Sequence, residues 1–117
     1  MHAEDVNAVL STRRERGIEL AKEALLADRS SLAWQAFAAC RVADPEAFFL
    51  AKGAGAKDIE KAVQYCNTCD VKTLCLLYAV ASHETFGIWG GMTPRARRAL
   101  RSRIKNAHRM TTDILVP

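Results

Sequence analysis

Four cysteines, Cys40, Cys66, Cys69 and Cys75, are the residues of this 117-residue chain whose type and spacing promise chemistry. Their pattern is C-x25-C-x2-C-x5-C. Helical periodicity puts Cys40, Cys66 and Cys75 on apolar stripes, and Cys69 lies one turn from Cys66. Burying those stripes gathers four thiols in one core, where thiolates repel one another unless a cation compensates them. Soft sulfur ligands select zinc or an iron–sulfur cluster. Structural zinc sites usually join two C-x2-C knuckles, and only one is present here. The tight run of bacterial ferredoxins is absent too. Spacing alone leaves the two metals open. The blandest alternative treats each cysteine as a small buried hydrophobe. Another reads Cys66 and Cys69 as a dithiol redox pair, although the chain lacks the βαβ pattern that usually carries one. His2, His83 and His108 complete no site better than the fourth cysteine does, and read as surface residues.

The elements that must position these thiols are helices. Residues 4–27 carry Val6, Val9 and Leu10 ahead of Ile18, Ala21 and Leu25, with a possible break or kink at Gly17. Ser30 or Ser31 is a cap for a second helix bearing Ala33, Ala36, Phe37 and Cys40. Asp44-Pro45 supplies an N-cap and a first-turn proline for a short turn with Phe48 and Phe49, and the AKGAGAK stretch reads as a loop. Ile59, Ala62, Val63 and Cys66 then repeat the helical spacing. Asp70 is the expected cap of a helix carrying Val71, Leu74, Cys75 and Tyr78. In GIWGG, the glycines Gly87, Gly90 and Gly91 serve positive φ angles and close backbone approach, with Trp89 at the tip. Thr93-Pro94 opens a last helix whose thin stripe, Ala96, Leu100 and Ile104, is surrounded by arginines. The final TTDILVP reads as a frayed end. No β-type alternation persists and no repeat appears, so the fold class is all-α.

Charge divides the chain. The net charge is +4, but residues 85–117 hold seven basic residues against one acid, while residues 1–84 hold ten against twelve. A basic C-terminal third meets a polyanion or an acidic surface, or else is a solvated helix face. No signal peptide and no stretch long enough to cross a bilayer is visible, so a cytoplasmic location with reduced thiols is expected. The organisation expected is an N-terminal helical extension (1–29), a cysteine-bearing core with the GIWGG turn (30–93) and a basic helix with its tail (94–117).

The lone cysteine, the C-x2-C-x5-C block and the GIWGG turn ahead of an arginine-rich helix resemble the WhiB-like proteins of actinobacteria and their phages. The resemblance runs from about Trp34 to Arg103 and includes the DPE-x-FF segment and GGMTPRARRALR. It implies a bundle of four to five helices around a 4Fe–4S cluster on Cys40, Cys66, Cys69 and Cys75, which decides the metal in favour of iron. It further implies a transcription regulator, not an enzyme, that binds domain 4 of the primary sigma factor of RNA polymerase, with a cluster sensitive to oxygen and nitric oxide. By position, Trp34, Phe48, Phe49 and Trp89 form the sigma-binding patch. Aromatic anchors suit that task, although such residues otherwise serve packing. Arg95, Arg97, Arg98, Arg101, Arg103 and Lys105 are the candidates for contact with promoter DNA. The chain departs from the family pattern at Leu50, where many members have proline, and no Arg-Gly-Arg-Pro hook follows the last helix. A dithiol reductase using Cys66 and Cys69, and a zinc-stapled nucleic-acid-binding module, are the competing readings.

Overall fold

The computed structural model describes residues 3–50 and 55–115. Among these, four α-helices carry the architecture: α1 (Ala3–Ala27), α2 (Ala56–Asn67), α3 (Lys72–Ala81) and α4 (Pro94–Leu115). Three short 3-10 turns, Ala33–Phe37, Ala39–Val42 and Pro45–Phe48, link α1 to α2. The described residues contain no strand, and the one isolated bridge joins Trp89 to Met92. The chain is all-α, as the periodicity predicts. No described helix is long and apolar enough to cross a membrane.

The first core forms where α1 crosses α3. Ile18, Ala21 and Leu25 recur at helical spacing on one face of α1 and meet Trp34, Val71 and Leu74. Gly17 does not break the helix, which runs from Ala3 to Ala27, and the space of its missing side chain is filled by a neighbour. A Cβ there would stand 2.6 Å from Phe37 Cζ, so the glycine admits the Phe37 ring against the α1 backbone. Arg14 closes over the same ring at 5.5 Å and donates to the Phe37 carbonyl at 3.1 Å. The part of α1 from Arg14 to Leu25 is thus packed on the domain.

A second core joins α2 to the turn that precedes it, through Phe48, Ala62, Cys66 and Ile88. Asp44 caps that turn, its side chain accepting from the Glu46 amide at 3.0 Å.

Three expectations need correction. The helix expected from Ser30 to Cys40 is two 3-10 turns separated by an extended Ala38 (φ −74°, ψ 134°). Phe37 must turn inward onto Gly17 while the Ala39 amide faces Cys69, and one continuous helix cannot serve both. Asp70 does not cap α3. Val71 stands at that position without a side-chain cap, and Asp70 instead pairs with Arg14 at 2.8 Å. The helix expected to fray at Thr111 continues to Leu115. The loop expected at AKGAGAK falls largely on residues 51–54, which lie outside the described residues.

Candidate metal centre

Three different elements bring the cysteines to one place. Cys66 ends α2, and the chain then turns tightly, with the Cys69 amide donating to the Cys66 carbonyl at 3.1 Å. Cys75 occupies the first turn of α3, where the positive end of the helix dipole favours negative charge on sulfur. Cys40 sits in the middle 3-10 turn and is exposed. All four are free thiols and all four line a single cavity of about 630 Å³. Among the described residues, no three His, Cys, Asp or Glu side chains converge tightly enough to hold one metal ion. The thiols ring a space and do not meet at a point.

Each sulfur has a backbone amide near it. The Ala39 amide donates to Cys69 Sγ at 3.4 Å. Gly91 serves Cys66, Gly90 serves Cys75, and Cys40 is served by its own amide. Burial nevertheless dominates. It raises the Cys40 and Cys66 thiols above their ordinary range, and it pushes Cys75 up to about 12. Neighbouring thiolates push all three further in the same direction. As protein alone, Cys40, Cys66 and Cys75 therefore hold their protons. The centre's sulfurs become thiolates together only where a positive group lies among them. The walls lean the same way: Arg41 and Lys72 line the cavity, and no carboxylate does. This donor set fits an iron–sulfur cluster, whose cysteine ligands are thiolates with amide hydrogen bonds to sulfur.

The glycine turn delivers two of those amides. Trp89 and Met92 exchange backbone bonds at 3.1 and 3.0 Å around Gly90 and Gly91, whose φ angles are +56° and +76°. Two consecutive positive φ values make a primed hairpin turn, for which Gly-Gly is suited. Gly87 is also positive, at +80°.

The aromatic residues divide. Trp34 is buried between Tyr78 and Trp89, with ring centroids 5.5 and 6.4 Å away, and its indole donates to the Ser31 carbonyl at 3.0 Å. Phe48 is buried against Tyr65 and α2. These two are buried, and with Phe49 and Trp89 they line the same cavity as the four cysteines. Phe49 is 54% exposed and Trp89 is partly exposed. Phe86, which the sequence reading passed over, is 75% exposed, and its carbonyl accepts from the Trp89 indole at 2.9 Å. Its place one residue before GIWGG was the only signal available.

The basic helix also divides. Arg95, Arg98, Arg103 and Lys105 are exposed, and Arg101 is half-buried. Arg97 is 0% exposed. Its guanidinium donates to the carbonyls of Gly87 and Met92, both at 2.7 Å, and to those of Glu84 and Phe86 at 3.1 and 3.2 Å. Arg97 is therefore removed from the DNA-contact set, because it is fully buried and its two terminal nitrogens donate inside the fold.

The family model for transcription factor WhiB matches residues 34–100, a span holding all four cysteines, the glycine turn and the start of α4. The chain belongs to the WhiB family. Its similarity to the transcriptional regulator WhiB of Streptomyces coelicolor is 43% identity over 84 residues, covering 71% of this chain and 93% of that protein. It is 43% identical over 82 residues to transcriptional regulator WhiB1 of Bifidobacterium longum, covering 68% and 89%. Transcriptional regulator WhiB2 of Mycobacterium tuberculosis is 47% identical over 68 residues, covering 58% and 73%. The matched span of the WhiB model excludes α1, so the packing of α1 on Trp34 and Leu74 lies beyond the family core.

Proposed function

We propose that this chain is a cytoplasmic transcriptional regulator whose four cysteines hold a 4Fe–4S cluster. In this reading it docks on domain 4 of the primary sigma factor and touches promoter DNA through α4. One observation carries it: four thiols ring one cavity that has cationic walls, no carboxylate, and backbone amides close to sulfur. A zinc ion needs its sulfurs at about 2.3 Å from a single point. Thiols spread around a cavity suit a group of several metal and sulfide atoms better. The cluster supplies the redox-active iron. The chain supplies ligands, amide donors that stabilise charge on sulfur, and aromatic walls that exclude water.

Phe49, Phe86 and Trp89 lie around the GIWGG turn and give an aromatic surface next to the cavity, suited to a protein partner. The start of α4 supports an anionic partner by another route. Arg95, Arg97 and Arg98 follow Pro94 with no acid in the first turn, so their charges oppose the helix dipole. Phosphates beside the exposed pair would offset that cost. The dithiol-reductase reading needs a thiolate of lowered pKa, and burial shifts Cys66 the other way.

Anaerobic purification tests the reading directly. A brown protein with about four iron and four sulfide per chain, co-eluting with sigma domain 4, is the expected result. A colourless, folded protein with one zinc per chain would replace it with a zinc-stapled basic module.

A further inference from the structure

Arg97 is a cation buried in the fold, and among the described residues no carboxylate binds it. Its guanidinium meets four backbone carbonyls, while its Nε has no partner. Carbonyl dipoles solvate a buried charge but do not neutralise it, and an unpaired buried charge is costly. The Arg14–Asp70 ion pair lies elsewhere. Arg101, one turn along α4, adds a second positive charge, and its Nε and Nη2 are buried without partners. Two cations thus face the interior at the base of α4.

What lies nearby is the cysteine centre. Arg97 holds the carbonyls of Gly87 and Met92, the two residues that bracket the turn from Ile88 to Gly91. Within that turn, Gly90 and Gly91 give their amides to Cys75 and Cys66. Burial works against charge on Arg97, and Cys75 is near enough for a negative charge there to act on it.

We propose that Arg97 is a positioning residue for the cysteine centre: it braces the glycine turn against Cys66 and Cys75, and its fixed positive charge balances the net negative charge of the thiolate-ligated cluster. The inference rests on the iron–sulfur reading above. A cation at a fixed buried place stabilises the more negative, reduced centre, so it sets the reduction potential higher than the ligands alone would. Such a role needs a guanidinium or ammonium at this position and does not need a specific partner protein.

The experiment is a dithionite titration of the anaerobically purified full chain, following the visible band as one electron enters and no bond is made or broken. Parent, Arg97→Gln, Arg97→Lys and the distant surface control Lys57→Gln are compared, with iron and sulfide measured on each. The expected result is a midpoint shifted to more negative potential in Arg97→Gln, and values close to the parent in Arg97→Lys and Lys57→Gln. If Arg97→Gln keeps the parent potential, the proposal is overturned. Equal shifts in the Gln and Lys variants also overturn it, because the charge is then not what matters. Should Arg97→Gln fail to hold iron, cluster retention in Arg97→Lys upholds the charge role and its loss there refutes it. A parent protein without iron and sulfide would instead refute the iron–sulfur reading itself, a separate failure seen before any variant is made.

Discussion

The carbonyl oxygen of Lys72 lies 2.8 Å from the point where a Cβ on Gly90 would stand, with Leu76 Cβ at 2.6 Å. The turn thus rests directly on the first residues of α3, and this contact lets the Gly90 amide reach Cys75. Alanine at Gly90 meets both a backbone clash and a φ of +56°. Gly90→Ala should cost about 1–3 kcal/mol from backbone strain, with the clash in addition. Gly55→Ala is the contrast: φ is −75° and the nearest atom is Asp58 Oδ2 at 4.0 Å, so the change should stay within about 0.5 kcal/mol. Urea midpoints of the two variants check this. Equal stability would mean that the turn does not sit on α3 as described.

Burial of Cys75 gives the metal-free protein a pH dependence whose sign can be worked out. Its folded value is about 12 against 9.0 for an ordinary thiol. Below pH 9 both folded and unfolded chains keep the proton, and nothing is lost. Above it the unfolded chain releases the proton first, so stability falls as pH rises towards 12. Cys40 and Cys66 shift in the same direction and add to the fall. Thermal midpoints of the metal-free chain should decline from pH 9 upward, and less steeply in Cys75→Ala. A flat profile would show that the thiol is not buried in solution.

Arg14 and Asp70 pair at 2.8 Å, yet their side chains are 48% and 55% exposed. Water and salt screen such a pair, so Asp70→Asn should cost less than about 1 kcal/mol. Arg14→Ala should cost more, about 1–2 kcal/mol, because it also removes the bond to the Phe37 carbonyl and the contact over the Phe37 ring. Chemical denaturation of both variants in high and low salt separates the two contributions. A larger loss for Asp70→Asn would assign the weight to the ion pair.

Phe49 and Phe86 are exposed enough that losing either ring should spare the fold. Removing a hot-spot aromatic typically costs a partner about 2 kcal/mol or more, which is roughly thirtyfold in Kd. Phe49→Ala and Phe86→Ala should therefore weaken binding to sigma domain 4 while iron content and thermal midpoint stay near the parent. Titration calorimetry on the loaded protein reads this. Unchanged affinity in both variants would move the docking surface away from the turn.

Much of this arrangement is legible from spacing, and the exceptions share a cause. The stripes holding Cys66 and Cys75, the Thr93 cap, whose hydroxyl accepts from the Ala96 amide at 3.2 Å, and the positive-φ glycines follow from local rules. Cys40 fell outside its expected helix because Phe37 and Ala39 answer to residues far away in sequence, Gly17 and Cys69. Arg97 was hidden for a related reason. In a run of arginines, composition does not tell which one turns inward. Only its spacing to the half-buried Arg101 and Leu100 hints at an inner face, and the four carbonyls that receive it come from a turn whose path the sequence does not show.

The last prediction concerns the exposed part of α4. From Ser102 to Met110 every residue is exposed, and Arg103 and Lys105 stand there with Arg109. Phosphate contacts release counterions, so affinity for duplex DNA should fall with salt along a log–log slope of about −0.9 per contact. Arg98→Ala and Arg103→Ala should each flatten that slope by roughly one contact and weaken binding similarly on any sequence, since neither substitution touches base readout. Arg97→Lys should leave the slope unchanged, because Arg97 has no free reach to a phosphate. Fluorescence anisotropy with the sigma-bound protein over a series of salt concentrations measures all of these. A slope unaffected by Arg98 and Arg103 would mean that this face of α4 is solvated in the complex, and the basic helix would then need a partner other than DNA.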